Sequence, residues 1–146
     1  MSAPLEPEAF VRKLAEWAPG TMIGSHGTRF VSVGKGRAVA ELDFKPSLSQ
    51  LTGRFHAGAI VSLADEAATA AAMWELNPTA DLRPELFPLT VQLSVNLIRN
   101  PSTGTLRAEA EIVHRGRTTL VIEVKVRDDR GKLVASLVAT QLVPTA

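Results

Sequence analysis

No cysteine occurs in the 146 residues. That excludes a disulfide framework, thiolate metal ligation and a cysteine nucleophile, and it suits a reducing compartment. Excess charge is also lacking: 16 basic against 15 acidic residues leave a net charge of +1, so no basic field marks a nucleic-acid partner. No apolar run is clean enough for a membrane span. The most apolar stretch, Ala57 to Leu76, carries Asp65 and Glu66 near its middle, where two acids would be costly in lipid. The N-terminus, Met1-Ser2-Ala3-Pro4-Leu5-Glu6-Pro7-Glu8, has no basic start followed by an apolar run, so a signal peptide is not expected and the default compartment is the cytoplasm. Repeats, low-complexity tracts and linkers are missing too. The length fits one domain over residues 1–146, with 1–20 as an N-terminal helix and lead-in.

Periodicity supplies the elements. Phe10, Val11, Leu14 and Trp17 have helical spacing, and Pro19-Gly20 stops that helix. Phe30 to Val33 and Arg37 to Phe44 read as a hairpin around Gly34-Lys35-Gly36. A loop rich in turn formers follows to Phe55. Ala57 to Leu76 is built of Ala, Leu and Ile and is apolar nearly all round, which predicts a long helix buried inside the domain, ended by Asn77-Pro78. Four strands are then expected, at Leu89–Leu97, Leu106–Ile112, Leu120–Val126 and Leu133–Val143, with the period-two pattern of an antiparallel sheet covered on one face. A single helix followed by a meander of long strands has one way to bury its surface, which is to be wrapped by a curved antiparallel sheet. The expected class is α+β, the hotdog arrangement.

The helix carries one anomaly. Ser62, Asp65, Glu66 and Thr69 fall within an arc of about 100° at 100° per residue. No Lys or Arg lies one turn away to pair with either acid. A buried carboxylate is expensive unless paired or kept at a cleft, and a carboxylate in a partly desolvated cleft is a common catalytic arrangement. The alternatives are a solvated helix face or an acid paired with another subunit, and spacing does not choose Asp65 over Glu66. Phe55-His56-Ala57-Gly58 leads straight into the helix. Its first turn presents unpaired N–H groups and the positive dipole end, and small residues let a ligand come close, as an oxyanion hole requires. Tight packing explains the same small residues equally well. Asp65 lies about 12 Å further along by helix rise, which limits how one substrate could use both.

Gln50-Leu51-Thr52-Gly53-Arg54-Phe55-His56-Ala57-Gly58-Ala59, then Ser62-Leu63-Ala64-Asp65-Glu66-Ala67, together with Thr90 to Asn96, Gly104-Thr105-Leu106, Gly116-Arg117-Thr118-Thr119 and Asp129 to Ala135, resemble phenylacetyl-CoA-type (PaaI-like) hotdog thioesterases from about Thr28 to Val143. The resemblance implies a catalytic acid at Asp65 and an oxyanion-hole N–H at Ala57, where the family usually has Gly. It implies an orienting amide at Gln50 and a water-holding hydroxyl at Thr69. His56 belongs to the signature, as a residue that shapes the turn. Gly58, Arg99, Asn100 and Gly116-Arg117-Thr118 match the substrate-binding region. It further implies acyl-CoA as substrate, CoA being part of the substrate and no cofactor or metal needed, and a homotetramer built as a dimer of dimers. His26 and His114 read as surface or strand residues. Trp74, Leu86 and Phe87 are candidates to line an apolar pocket for an aryl or medium-chain acyl group. The expected function is acyl-CoA thioester hydrolysis. A non-catalytic acyl-CoA-binding module and a hotdog dehydratase or hydratase are the alternatives.

Overall fold

The computed structural model describes residues 3–145. Helices α1 (Pro7–Trp17) and α2 (Met22–His26) precede strands β1 (Arg29–Gly34) and β2 (Arg37–Asp43). Helix α3 (Ala57–Leu76) follows, then β3 (Leu89–Leu97), β4 (Thr105–Arg115), β5 (Thr119–Arg127) and β6 (Leu133–Leu142). The six strands form one antiparallel sheet in the order β1-β2-β4-β5-β6-β3, curved around α3. This is the hotdog architecture.

The bounds of α3 coincide with the apolar run, and its composition explains why. Ala59, Ala64, Ala67, Ala68, Ala70, Ala71 and Ala72 are all buried, small enough for the sheet to close over the helix. Ile60, Leu63 and Met73 fill the remaining space between helix and sheet together with Leu106, Leu120, Ile122 and Leu137. Each of these larger side chains stabilises by about 1.5–3 kcal/mol on burial. The exposed ion pairs, such as Arg29–Asp43 at 2.6 Å, contribute at most about 1 kcal/mol each. The helix–sheet contact therefore holds the domain.

Helix α1 starts with Pro7, whose φ is preset for a first turn, and buries Phe10 and Leu14. Phe10 meets Trp74 of α3 edge-on, with ring centroids 5.2 Å apart at 78°. Trp74 is thereby engaged in helix–helix packing. Helix α2 is not legible in the hydrophobic pattern because it is local in origin. The Thr21 hydroxyl accepts from the Gly24 N–H at 3.4 Å, and Gly27 ends the turn at φ 84°. His26 consequently lies half-buried on a helix, correcting the surface-or-strand expectation, whereas His114 is exposed on β4.

Two departures from a simple meander position the site. First, β4, β5 and β6 pair in sequence, but β3 joins the far edge beside β6 and not β4. The connection 98–104 crosses the end of the sheet beneath the start of α3, bonding Val134, Phe55 and Phe44 in turn. Second, β3 is bulged at Val91, between Thr90 opposite Gln141 and Gln92 opposite Thr140. A bulge exchanges the faces of the residues on either side of it. Leu93 and Val95 face the core, but before the bulge Thr90 faces inward and Leu89 outward. Leu89, Val91 and Leu97 remain 61%, 50% and 48% exposed. Among the described residues, no helix is long and apolar enough to cross a membrane.

Candidate active site

The polar stripe of α3 lies at a cavity of about 360 Å³. Asp65, Glu66 and Thr69 line it on one side, and Leu14, Trp17, Phe30, Met73 and Phe87 are among the apolar residues on the others. Phe87 is the one member of the expected apolar trio found there. Trp74 packs on Phe10, and Leu86 lies in the turn Pro84–Leu86 outside the cavity.

Asp65 is held by residues that periodicity alone does not single out. Gln141, fully buried on β6, donates through Nε2 to Thr90 Oγ1 and Thr69 Oγ1, each at 3.0 Å. Thr90 Oγ1 donates in turn to Asp65 Oδ1 at 2.9 Å. The bulge at Val91 makes this possible by turning Thr90 inward. The relevant signal in the sequence is a Gln on the inward face of an otherwise apolar strand, since a buried amide needs partners. Thr69 accepts from Gln141, which leaves its own proton free for a water or ligand. Burial pushes the Asp65 carboxyl above its usual range, and the Thr90 hydrogen bond partly opposes this. A carboxylate shifted upward is a better base near neutral pH.

Glu66 is more deeply desolvated. Its pKa is raised to about 7 by burial, which outweighs the lowering effect of the Thr28 hydroxyl, and the Asp65 charge adds a smaller upward push. Both of its oxygens and the Thr28 hydroxyl are closed to solvent, and Thr28 lends Glu66 a weak hydrogen bond outside ideal geometry. The folded protein therefore binds this proton more tightly than the unfolded chain, whose Glu titrates near 4.5. Folding stability falls as pH rises through the interval from about 4.5 to about 7, and the loss is complete above it. At about 1.4 kcal/mol per pH unit, it amounts to about 3 kcal/mol. Glu66→Gln, which cannot ionise, is expected to lose this component of the pH dependence. Denaturant melts of both proteins at about pH 5 and about pH 8 check it. Parallel profiles would contradict it.

The start of α3 is a separate place. His56 is the N-cap, and its Nδ1 accepts from the Gly58 N–H at 2.8 Å. A Cβ on Gly58 would come within 3.0 Å of that nitrogen, so glycine there lets the imidazole fold back over the turn. The Ala59 and Ile60 N–H groups donate to the His56 carbonyl at 3.0 and 3.3 Å. Of the four first-turn donors, the Ala57 N–H is left without an acceptor. Ala57 also lines a second cavity of about 260 Å³, with Ile60, Leu97, Ile98, Arg99 and Asn100. Arg99 and Asn100 also border a polar groove of about 570 Å³ with Arg54, Arg130 and Lys132.

The chain thus brings together some expected site residues and separates others. Asp65 and Thr69 share one cavity; Ala57, Arg99 and Asn100 share another. Gln50 reaches neither. Its Oε1 accepts from the Thr52 backbone N–H and from Thr52 Oγ1 at 2.8 Å, which braces the loop ahead of α3. The Gly116-Arg117-Thr118 turn lies at the opposite end of the sheet from Arg99, where Arg115 pairs with Glu75 at 3.2 Å and the Val143 N–H donates to the Thr118 carbonyl. Among the described residues, no group of three His, Asp or Glu side chains gathers to hold a metal ion.

A sequence profile of the Thioesterase superfamily matches residues 52–135. The 1,4-dihydroxy-2-naphthoyl-CoA hydrolase of Listeria monocytogenes is 32% identical over 108 residues, which cover 74% of this chain and 83% of that protein. The conserved protein PA5202 of Pseudomonas aeruginosa is 29% identical with a TM-score of 0.76, over 88% of this chain and 97% of that one. The PaaI protein of the E. coli phenylacetic acid degradation operon shares the fold at a TM-score of 0.79 and 20% identity, over 94% and 96% of the two chains. The chain belongs to the Thioesterase superfamily and has its hotdog fold.

Proposed function

We propose that the protein hydrolyses acyl-CoA thioesters to a carboxylic acid and free CoA, at a site shared between two copies of the chain. The observation that carries this reading is the pair of complementary half-sites: a desolvated carboxylate at Asp65 and one unpaired N–H at Ala57, about 12 Å apart along a single helix.

The free edge of β3 supplies a way to join them. An exposed edge strand with apolar residues invites pairing with another chain, and a twofold axis is the commonest solution. If two β3 strands pair antiparallel about Leu93, Thr90 of one copy stands opposite Asn96 of the other, and Leu89 opposite Leu97. Thr90 holds Asp65 and Leu97 walls the Ala57 cavity. The twofold therefore sets Asp65 of one copy beside Ala57 of the partner subunit. Leu89 lies in register with Leu142, and Leu142 with Thr119. The Gly116-Arg117-Thr118 turn of one copy then approaches the Arg99 end of the other, which reunites the expected CoA contacts. Dimers of this kind can pair further into the tetramer that the family resemblance implies. A monomer by light scattering would contradict the shared site.

In this assembly the thioester carbonyl accepts from the Ala57 N–H at the positive end of α3. Asp65 takes a proton from water as it adds to the carbonyl carbon, or attacks that carbon itself to form an anhydride that water then opens. The C–S bond breaks, and the CoA thiolate leaves and is protonated. Thr69, with its free proton beside Asp65, holds the water. His56 is committed through Nδ1 to the helix cap, which disfavours a histidine-based dehydratase.

The cofactor-free reaction is tested by thiol release from aryl, short and medium acyl-CoAs in the presence of a chelator. Turnover of at least one ester is expected. Stable binding with no thiol release from any ester would replace the hydrolase reading with that of an acyl-CoA-binding module.

A further inference from the structure

The cavity at Asp65 is closed on one side by the chain's own N-terminal segment. Ala18, Thr21 and Ile23 line it there, in the stretch that carries α2. That stretch is held to the domain by very little. From Ala15 to Ser32 the single buried residue is a polar one, Thr28, and α2 itself buries none. The other ties are thin: the Thr21 hydroxyl donates to the Ala18 carbonyl at 2.6 Å, and Lys45 Nζ donates to the Ser25 carbonyl. Segments with few buried apolar contacts open at a lower free energy than the core. Gly20 and Gly27 bracket α2 in the left-handed region, at φ 81° and 84°. A Cβ at either would meet nothing closer than 3.9 Å, so the backbone has room to turn at both ends. Thr28 is fastened to α3 through Glu66: its hydroxyl and both carboxyl oxygens are closed to solvent, joined by a weak hydrogen bond.

We propose that residues 20–27 are a lid on the Asp65 cavity, fastened where Thr28 meets Glu66 and released when Glu66 ionises. A neutral carboxyl tolerates a site with a single hydroxyl beside it. An ionised one accepts up to about four hydrogen bonds, and with one weak donor at hand it needs water. Water reaches it with least disturbance if the lid swings away, because α3 on the other side is fixed in the core. The cations of the surrounding elements are engaged elsewhere or exposed. Arg29 on β1 is drawn to Asp43 at 2.6 Å and Glu41 at 3.6 Å, and Lys45 to the Ser25 carbonyl. Arg83, beside the cavity residue Leu82, pairs with Asp81 at 2.8 Å, and Arg12 and Lys13 on α1 are turned to solvent or its edge. Asp65, the acidic neighbour on α3, pushes Glu66 further toward the neutral form. His26 is the titratable group of α2, with its Nδ1 closed to solvent and unpartnered. With Glu66 at about 7 in the closed state and at about 4.5 where water reaches it, both states hold the proton below about pH 4.5. Between these values the open state gives it up first, so the ratio of open to closed rises by about tenfold per pH unit, and it levels off above about pH 7. Access to the cavity therefore increases with pH.

The test follows amide hydrogen exchange at Ser25, Gly27 and Thr28, whose N–H groups donate to the Thr21 and Ile23 carbonyls at 2.9, 3.0 and 3.2 Å. Their protection, taken relative to the intrinsic rate at each pH, is expected to fall by about tenfold or more from about pH 5 to about pH 7. It should lie well below that of the β5 amides and stay constant in Glu66→Gln. Protection that does not change with pH, or that matches β5 so that only global unfolding exposes the segment, would overturn the proposal. A fall that survives Glu66→Gln and vanishes in His26→Asn would assign the motion to the histidine and overturn the role of Glu66. Thiol labelling asks whether the motion opens the cavity. No cysteine occurs in the chain, so Ala70→Cys places a single thiol on the cavity wall, at a position that is 2% exposed. Its rate of reaction with a thiol reagent, corrected for thiol ionisation, should rise with pH by the same factor and become flat when Glu66→Gln is added. A corrected rate indifferent to Glu66 would show that the cavity is reached by another way, and the lid would be refuted. Neither readout requires turnover, so a failure of the hydrolase reading leaves this test standing.

Discussion

Asp65→Asn is expected to lower kcat for acyl-CoA hydrolysis by about 10²- to 10⁴-fold, the range associated with a positioned proton acceptor, with little change in KM. The substitution is nearly isosteric. The Thr90 hydroxyl can still donate to the amide oxygen, and the Gln141–Thr90–Thr69 network needs no rearrangement. Removing a partly desolvated charge relieves a burial penalty, so the variant should be at least as stable as the parent. Steady-state thiol release beside a thermal melt separates these effects. A variant that folds and retains the parent kcat would remove Asp65 from the chemistry.

Ala57→Pro is expected to reduce kcat by about 10²- to 10³-fold, the loss typical of deleting one oxyanion donor. The position is unusually permissive for this test. Ala57 is the first residue of α3, and proline is favoured there because the missing N–H is an orphan of the helix in any case. The residue ahead of a proline must be extended, and His56 already has φ −68° and ψ 138°. The cap between His56 Nδ1 and the Gly58 N–H can persist. Proline thus deletes a single donor and leaves the helix start in place. Ala57→Gly, which keeps the N–H, should stay active. Equal loss in the two variants would point to packing at the helix start as the cause.

The elements that carry a strong local signal are the ones the sequence makes legible. Helix α3 is readable to the residue because twenty positions of one apolar composition end at Asn77-Pro78, and its polar stripe follows from the 100° period. The stripe picks out Asp65 and Thr69, and it includes Glu66 without distinguishing its role. What stays illegible depends on non-local pairing. The place of β3 at the sheet edge follows from the crossing of residues 98–104, which no periodicity encodes. The bulge at Val91 inverts which of Leu89 and Thr90 faces inward, against a clean alternation that suggests the opposite. Gln141 stands in a run of apolar residues whose inward face becomes known only with the register. Gln50 and the Gly116–Thr118 turn match a signature, but the chain alone does not bring them to Asp65, because motif spacing carries no information about which copy of the chain a residue faces.

The joining of two half-sites is the central claim, and complementation tests it most directly. Asp65→Asn and Ala57→Pro chains, each reduced to a small residual activity alone, are coexpressed with different tags. The mixed species is isolated and its thiol release is measured. In a mixed dimer, one site combines the intact Asp65 of the Ala57→Pro chain with the intact Ala57 N–H of the Asp65→Asn chain, and the other site lacks both. The purified mixed dimer should recover about half the activity of the parent per dimer, as twofold symmetry requires. Activity no greater than that of the two variants alone would show that each chain uses its own Asp65 and Ala57, and would contradict the shared site.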